Sequence, residues 1–254
     1  MKTLSTIFTA ANTKKLALAS ALALITASNA MAFSETEFRS ALKQLIATPT
    51  VSQEQRVAAS VTAWLNQDYI NSLGQIEIDA ASKASQTALS SFSNLLKQEP
   101  NNPLLLSYTG AATAKSSLEK FVRGEKNNAL EDGTAMVEQA LRLADEADKA
   151  DYRQAMHGSV PVALEVRFVA ASTYLAVPKV MNRNQQGQQL LKDVLEAQQF
   201  AQSDLFFRGA VWMRAASLAM EQQRPDDAKN FLNEVVKHNA PQARSASELL
   251  QKLS

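Results

Sequence analysis

The chain has 254 residues, with 26 basic and 25 acidic side chains, a formal net charge of +1 and no cysteine. This balanced charge argues against nucleic-acid binding, which requires a strongly basic surface. The lack of cysteine excludes disulfides, thiol catalysis and cysteine-based metal sites, so the stability of the fold must come from packing. Glycine and proline number seven each, which is low for this length, and no period-two run of β-branched residues occurs. The composition therefore predicts an all-α protein.

Residues 1–30 have the order of a secretory signal peptide. Three lysines and no acidic residue accompany the uncharged apolar run 16–27, and small residues follow it. We expect cleavage after Ala30 or Ala32. The run is shorter than the roughly 20 residues that span a bilayer, so we expect no membrane span once the signal is removed. The remaining chain, 33–254, is then an exported single domain, periplasmic if the source is a two-membrane bacterium.

Apolar side chains recur at helical spacing through the rest of the chain, and the short connections between these stretches are mostly polar. The regions 150–160 and 177–187 are the least regular. The pattern predicts one continuous helical body of about ten helices, over 35–47, 53–71, 76–98, 103–122, 131–149, 161–176, 185–199, 203–222, 225–237 and 241–252.

Helix start signals support these boundaries. The segments SETE (34–37) and SQEQ (52–55) match the capping box, in which the serine accepts a hydrogen bond from an unpaired backbone N–H. Four prolines stand where a first helical turn is expected, a position that tolerates proline because its missing N–H would have no partner: Pro103, Pro161, Pro225 and Pro241.

Two helices near the C-terminus have a pattern of large and small residues that suggests a helix pair. Trp212 and Ala216 lie one turn apart on the first helix, and Ala228 and Leu232 lie one turn apart on the second. This arrangement resembles the tetratricopeptide repeat, with Ala219 standing where the repeat usually has an aromatic residue. Helix pairs of this kind must stack on neighbours to bury their apolar faces.

A second such unit covers 99–122, where Pro-Asn-Asn-Pro precedes a helix with Leu106 and Gly110 at the large and small positions. The clearest units are thus 99–122 and 203–241. The resemblance implies a right-handed α-solenoid of stacked antiparallel helix pairs, with the first helix of each pair lining a concave surface on which extended peptides dock.

Mixed aromatic and basic side chains on these helices are the candidate partner-binding residues. Arginine binds carboxylates through two parallel hydrogen bonds, and an arginine at a helix start can bind an anion or a partner's backbone. Trp212 matches a packing position, and Phe206 and Phe207 cannot both face inward, so one of the two lines a groove. The candidates are Arg167, Tyr174, Arg183, Phe207, Arg208 and Arg214.

Catalytic patterns are missing from the sequence. It contains no phosphate-binding glycine loop and no G-x-S-x-G elbow, and its acidic residues are scattered along predicted helices. His157 lies two residues from Ser159 in an irregular segment, which favours a loop histidine over part of a catalytic triad. His238 ends a predicted helix, where an imidazole interacts favourably with the negative terminus. We therefore expect no catalytic residue, no metal site and no cofactor.

These observations lead to a non-catalytic periplasmic adaptor or scaffold built from helical repeats, which mediates protein–protein interaction in the cell envelope. An alternative is a module that binds a small molecule or a glycan in the concave groove, helped by Trp212, Tyr174 and the arginines. A second alternative, an accessory enzyme of the cell wall, rests on the scattered carboxylates.

Overall fold

The computed structural model describes residues 33–46, 85–122, 128–150 and 155–253. The predicted signal peptide, the helix predicted over 53–71 and the beginning of the helix predicted over 76–98 lie outside the described residues.

The described residues are mostly helical, which confirms the all-α class, and they include nine α-helices. These are α1 (Glu35–Ile46), α2 (described over 85–98), α3 (Pro103–Val122), α4 (Ala129–Ala150), α5 (Val162–Ala176), α6 (Asn184–Glu196), α7 (Leu205–Glu221), α8 (Pro225–Lys237) and α9 (Ala243–Lys252). A single 3₁₀ turn occupies Lys179–Met181, and a short 3₁₀ helix occupies Gln198–Gln202. Among the described helices, none is both long enough and apolar enough to cross a membrane.

Side-chain caps form at three of the described helix starts, one of which is that of α3, where Asn102 Oδ1 accepts from the Leu104 and Leu105 N–H groups. The Glu37 N–H donates to Ser34 Oγ over 3.3 Å at the start of α1, as the capping box predicts. The Phe207 N–H donates to Asp204 Oδ1 over 2.8 Å, so α7 begins at Leu205 rather than at the predicted residue 203. In each case a polar side chain satisfies an N–H that has no partner within the helix.

Of the four prolines predicted to begin helices, two do so and two lie just before a helix. Pro103 and Pro225 are the first residues of α3 and α8, as predicted. Pro161 is instead the residue before α5, and Pro241 lies two residues before the start of α9. Proline fits both places, because its fixed φ suits the first helical residue and because a residue just before a helix needs no N–H for the helix's own hydrogen bonds.

The irregular region predicted over 150–160 contains a small β-hairpin. Strand β1 (Met156–His157) pairs antiparallel with β2 (Val160–Pro161), and His157 lies opposite Val160. Gly158 in the connecting turn has a φ of +60°, a left-handed conformation that glycine adopts without strain. The hairpin leads directly into α5 and thereby fixes the position of the His157 side chain relative to that helix.

Consecutive helices pack against each other as α3 with α4, α5 with α6, and α7 with α8, and α9 then packs on α8. Helix α5 also contacts α3 and α4, so it joins the first pair to the second. Because residues 222–224 alone connect α7 and α8, these two packed helices must run in opposite directions.

Helices α3 and α4 cross at two glycines. A Cβ atom on Gly110 would lie 2.6 Å from the carbonyl oxygen of Gly133, and one on Gly133 would lie 2.6 Å from the backbone nitrogen of Ala114. No side chain fits between backbones at this separation, so glycine is what permits the close crossing. The position of Gly110 agrees with the small residue that the sequence places on this helix.

The main hydrophobic core joins helices α5 to α9. The four residues that carry the resemblance to the tetratricopeptide repeat are all buried there. Their exposed fractions are 7% for Trp212, 3% for Ala216, 0% for Ala228 and 1% for Leu232. Apolar residues at helical spacing thus form the contact between α7 and α8, as their sequence pattern indicates.

Candidate functional site

Three of the predicted partner-binding arginines form ion pairs within the chain. Arg167 on α5 contacts Asp145 over 2.7 Å, and Arg214 on α7 contacts Glu221 over 3.2 Å. Arg183, which precedes α6, contacts Glu138 on α4 over 3.0 Å. In this conformation these guanidinium groups are already hydrogen-bonded to carboxylates, so a partner would have to compete for them.

The two predicted aromatic residues are buried. Tyr174 has an exposed fraction of 0%, and the Arg183 guanidinium lies over its ring, 5.4 Å from the centroid. Its hydroxyl has no hydrogen-bond partner, and burial raises its pKa above the ordinary value. Phe207 is 6% exposed and makes an edge-to-face contact with Phe168, 5.5 Å between centroids. Both residues contribute to packing and present little surface to a partner.

Phe206, by contrast, is 47% exposed, so the structure resolves which of the adjacent phenylalanines faces outward. Successive helical residues are about 100° apart, so Phe206 and Arg208 point to different sides of α7. Phe206 is therefore a separate exposed aromatic side chain rather than an extension of the surface around Arg208.

Arg208 differs from the other predicted arginines because its guanidinium stacks on an aromatic ring and has no carboxylate oxygen within 4.0 Å among the described residues. Its Cζ atom lies 5.5 Å from the centroid of the Trp212 ring, one turn further along α7. His238, the residue after α8, stacks on the same indole, with 5.3 Å between centroids and 19° between planes. Glu234, one turn before His238, contacts the imidazole Nε2 over 3.3 Å. We call these four side chains the Arg208–Trp212 surface.

A second cluster, which no local pattern in the sequence indicates, is centred on His157. The Nδ1 atom of His157 lies 2.7 Å from Glu165 Oε2, and its Nε2 atom lies 3.0 Å from Glu35 Oε2. The Tyr108 hydroxyl donates to the other oxygen of Glu165 over 2.8 Å. Four elements, α1, α3, α5 and the hairpin, thus meet in one hydrogen-bonded chain. We call these four side chains the His157 cluster.

Burial and charge explain the protonation of this cluster. Burial alone lowers the pKa of His157, but the hydrogen bonds and negative charges of Glu165 and then Glu35 outweigh it and raise that pKa to about 9. At neutral pH both ring nitrogens therefore carry protons and donate. Burial, reinforced by the charge of Glu165, raises the pKa of Tyr108 well above its usual range, so the phenol stays protonated and donates as well.

Aromatic rings pack around His157 and Tyr108, on the inner side of the cluster, whereas the Glu35 side chain is 45% exposed. The Phe38 ring makes edge contacts with His157 at 4.9 Å and with Tyr108 at 5.0 Å, and Phe92 stacks on Tyr108 at 5.3 Å. Phe33, just before α1, lies 6.1 Å from His157. These rings limit the access of water, which strengthens the electrostatic interactions inside the cluster.

This geometry argues against a Ser159–His157 catalytic pair. Both ring nitrogens of His157 are bonded to carboxylates, and the Ser159 hydroxyl is directed at Asp204 Oδ2, 3.5 Å away. A general base needs an unprotonated nitrogen facing the nucleophile. Among the described residues, no group of three or more histidine or acidic side chains has a metal-binding arrangement.

An open depression lies between the start of α4 and the 3₁₀ turn before α6. Its volume is about 440 Å³. It is partly apolar through Val180, which is 84% exposed, and partly charged through Glu131 and Arg183. Because the depression is open to solvent, it provides a shallow surface rather than an enclosed binding pocket.

The described structure therefore does not bring the six predicted residues into one site. Tyr174 and Arg183 contact each other, whereas Arg208 belongs to a different surface with Trp212.

Comparisons of the chain with protein-family models, with curated proteins and with solved structures find no match.

Proposed function

We propose that this chain is a non-catalytic helical-repeat adaptor or scaffold that binds another protein of the cell envelope. The observation that supports the proposal most directly is the Arg208–Trp212 surface. Arginine is among the residue types that contribute most to protein–protein binding, and here the buried Trp212 ring holds the Arg208 side chain in place. Consecutive helices packed in pairs supply a rigid support for such a surface.

The proposal extends to the architecture and the location of the protein. Stacked pairs would continue as a right-handed α-solenoid, as the resemblance to tetratricopeptide repeats implies. The basic and apolar order of residues 1–30 supports export to the periplasm. In this setting the adaptor binds its partner through side chains of α7 and α8.

Site-specific photo-crosslinking in cells tests the proposed function. A photoreactive residue replaces Glu234, which is one of the four side chains of the Arg208–Trp212 surface, or Val180, which is exposed elsewhere. We expect one stoichiometric protein adduct from position 234 and none from position 180. The adduct should disappear in Arg208→Gln and persist in Arg214→Gln, because Arg214 already pairs with Glu221. The lack of a protein adduct at position 234, in cells that produce the folded chain, would contradict the adaptor proposal.

A second candidate function is the binding of a small molecule or a glycan, and the depression beside Arg183 favours it. Thermal-shift measurements on the purified chain with cell-wall fragments test this candidate. A rise in melting temperature that Arg183→Gln abolishes and Arg208→Gln retains would place the function at the depression rather than on the Arg208–Trp212 surface.

A further inference from the structure

Arg208 is an exception among the described arginines, because the others form ion pairs with carboxylates of the chain. The structure describes eight arginine side chains, and seven of them lie within 4.0 Å of a carboxylate oxygen. These seven are Arg39, Arg142, Arg167, Arg183, Arg214, Arg224 and Arg244. Within this described set, Arg208 is the one arginine with no carboxylate at that distance.

Two acidic residues, Asp204 and Glu234, are already bonded to other groups. Asp204, one turn before Arg208 on α7, accepts from the Phe207 N–H at one oxygen and from the Ser159 hydroxyl at the other. Glu234 contacts both His238 and Lys237 over 3.3 Å. Arg208 therefore remains unpaired although acidic residues occur on both helices of the pair.

The Arg208 side chain is also partly desolvated. Its Nε atom is buried and has no hydrogen-bond partner, and the guanidinium lies against the Trp212 ring. A buried donor without a partner is unfavourable, because the hydrogen bond to water is lost and not replaced. At the same time, stacking restricts the rotamers of the side chain, so little further entropy is lost when a ligand binds.

From this arrangement we infer that the partner presents an acidic peptide segment, and that a carboxylate of this segment binds the Arg208 guanidinium. The inference rests on the proposed adaptor function and specifies the chemistry of its partner. A carboxylate matches the fork of the terminal guanidinium N–H groups, which no carboxylate of the described chain approaches within 4.0 Å, whereas the buried Nε atom is out of its reach. A nucleic acid fits less well, because it requires several cations along a backbone, whereas the acidic Asp204 lies one turn before Arg208.

Selection from a displayed library of random heptapeptides tests the inference with the purified chain. We expect enrichment of peptides that contain Asp or Glu. Arg208→Gln should remove this enrichment, and the matched control Arg214→Gln should retain it. Retention of acidic peptides by Arg208→Gln, or selection of peptides without acidic residues, would overturn the inference.

Fluorescence titration measures the effect on a selected peptide. The sequence has two tryptophans, so Trp64→Phe leaves Trp212 as the reporter beside Arg208. Replacing the peptide's Glu by Gln, or Arg208 by Gln, should weaken binding about ten- to a hundredfold, the effect of one charge-assisted hydrogen-bonded pair. An unchanged affinity in both cases would contradict the inference, as would a single-stranded oligonucleotide that changes the fluorescence when the acidic peptides do not.

The two proposals fail in distinguishable ways. If the crosslinked partner at position 234 persists in Arg208→Gln, the adaptor function stands and the acidic contact with Arg208 is wrong. If position 234 gives no protein adduct at all, the adaptor function itself is wrong.

Discussion

Where α1 meets α3, α5 and the hairpin, the contact contains a buried carboxylate, a tyrosine hydroxyl and an imidazolium, whereas α7, α8 and α9 meet mostly through apolar side chains. In the His157 cluster, Glu165 is 4% exposed and depends on two donors from other elements. In the C-terminal core, Leu232 is 1% exposed and depends on filled volume. The stabilisation from the first contact should therefore change with pH and with the loss of a single hydrogen-bond donor. The stabilisation from the second should change with the polarity and the volume of the buried side chains.

The largest expected effect comes from a charge in the C-terminal core. Leu232→Asp should lower the free energy of unfolding by about 3–5 kcal/mol, because it removes an apolar side chain and buries a carboxylate without a partner. Urea denaturation of the purified variant measures this change. Val236→Asp on the same helix is the matched control: Val236 is 37% exposed, so the new carboxylate stays in water and the loss should be much smaller, about 1 kcal/mol, including the unfavourable charge near the negative helix end. Equal stability of Leu232→Asp and the parent would show that α8 does not pack through this face.

The next effect depends on pH and concerns the His157 cluster. The folded pKa of His157 is about 9 and its ordinary value is 6.5, so the stabilisation is complete below the ordinary value and is lost as pH rises through the folded one. A shift of this size corresponds to at most about 3 kcal/mol, and to less here because the Glu35 carboxylate is 45% exposed and screened by solvent. Relative to the parent, His157→Gln should therefore be least stable at mildly acidic pH, below about 6.5, and this difference should shrink between about pH 6.5 and 9 and be nearly absent above about pH 9.

Urea denaturation of both proteins across this pH range gives the difference directly. Other groups that titrate alike in the two proteins cancel in it. A difference that is constant with pH, or that grows as pH rises, would show that His157 is not held as an imidazolium between Glu165 and Glu35.

A smaller effect is expected from removing one hydroxyl. Tyr108→Phe should lower the free energy of unfolding by about 1–3 kcal/mol, because the buried Glu165 then loses one of its two donors. Tyr174→Phe is the matched control, because Tyr174 is also buried and its hydroxyl has no partner. Chemical denaturation should show little or no loss in the control, and equal losses in both variants would assign the effect to packing rather than to the hydrogen bond.

The smallest effect is expected at an arginine that pairs on the surface. Arg167→Gln should lower the free energy of unfolding by about 0–1 kcal/mol, because its pair with Asp145 is partly exposed and screened by salt. Thermal unfolding at low and high ionic strength measures it, and the difference should decrease as salt is added. A loss as large as that of Tyr108→Phe would mean that the Arg167–Asp145 pair is as important for the fold as the His157 cluster.

The sequence by itself determined the helical class, because apolar spacing and caps act within a few residues. It placed Pro103 and Pro225 at helix starts, matched Ser34 to its cap and indicated that Trp212 and Leu232 pack between two helices. Each of these features depends on local backbone chemistry or on the phase of one helix, which a single sequence displays.

The tertiary structure alone decided which polar side chains meet. Glu35 and His157 are separated by 122 residues, and Tyr108 and Glu165 by 57, so no local spacing in the sequence joins them. The same holds for the arginines: Arg167 and Arg208 look alike in the sequence, yet one faces Asp145 and the other has no carboxylate within 4.0 Å among the described residues. The reason is physical, because hydrogen bonds and ion pairs act over a few ångströms and depend on how distant segments pack, whereas helix formation depends on neighbours along the chain.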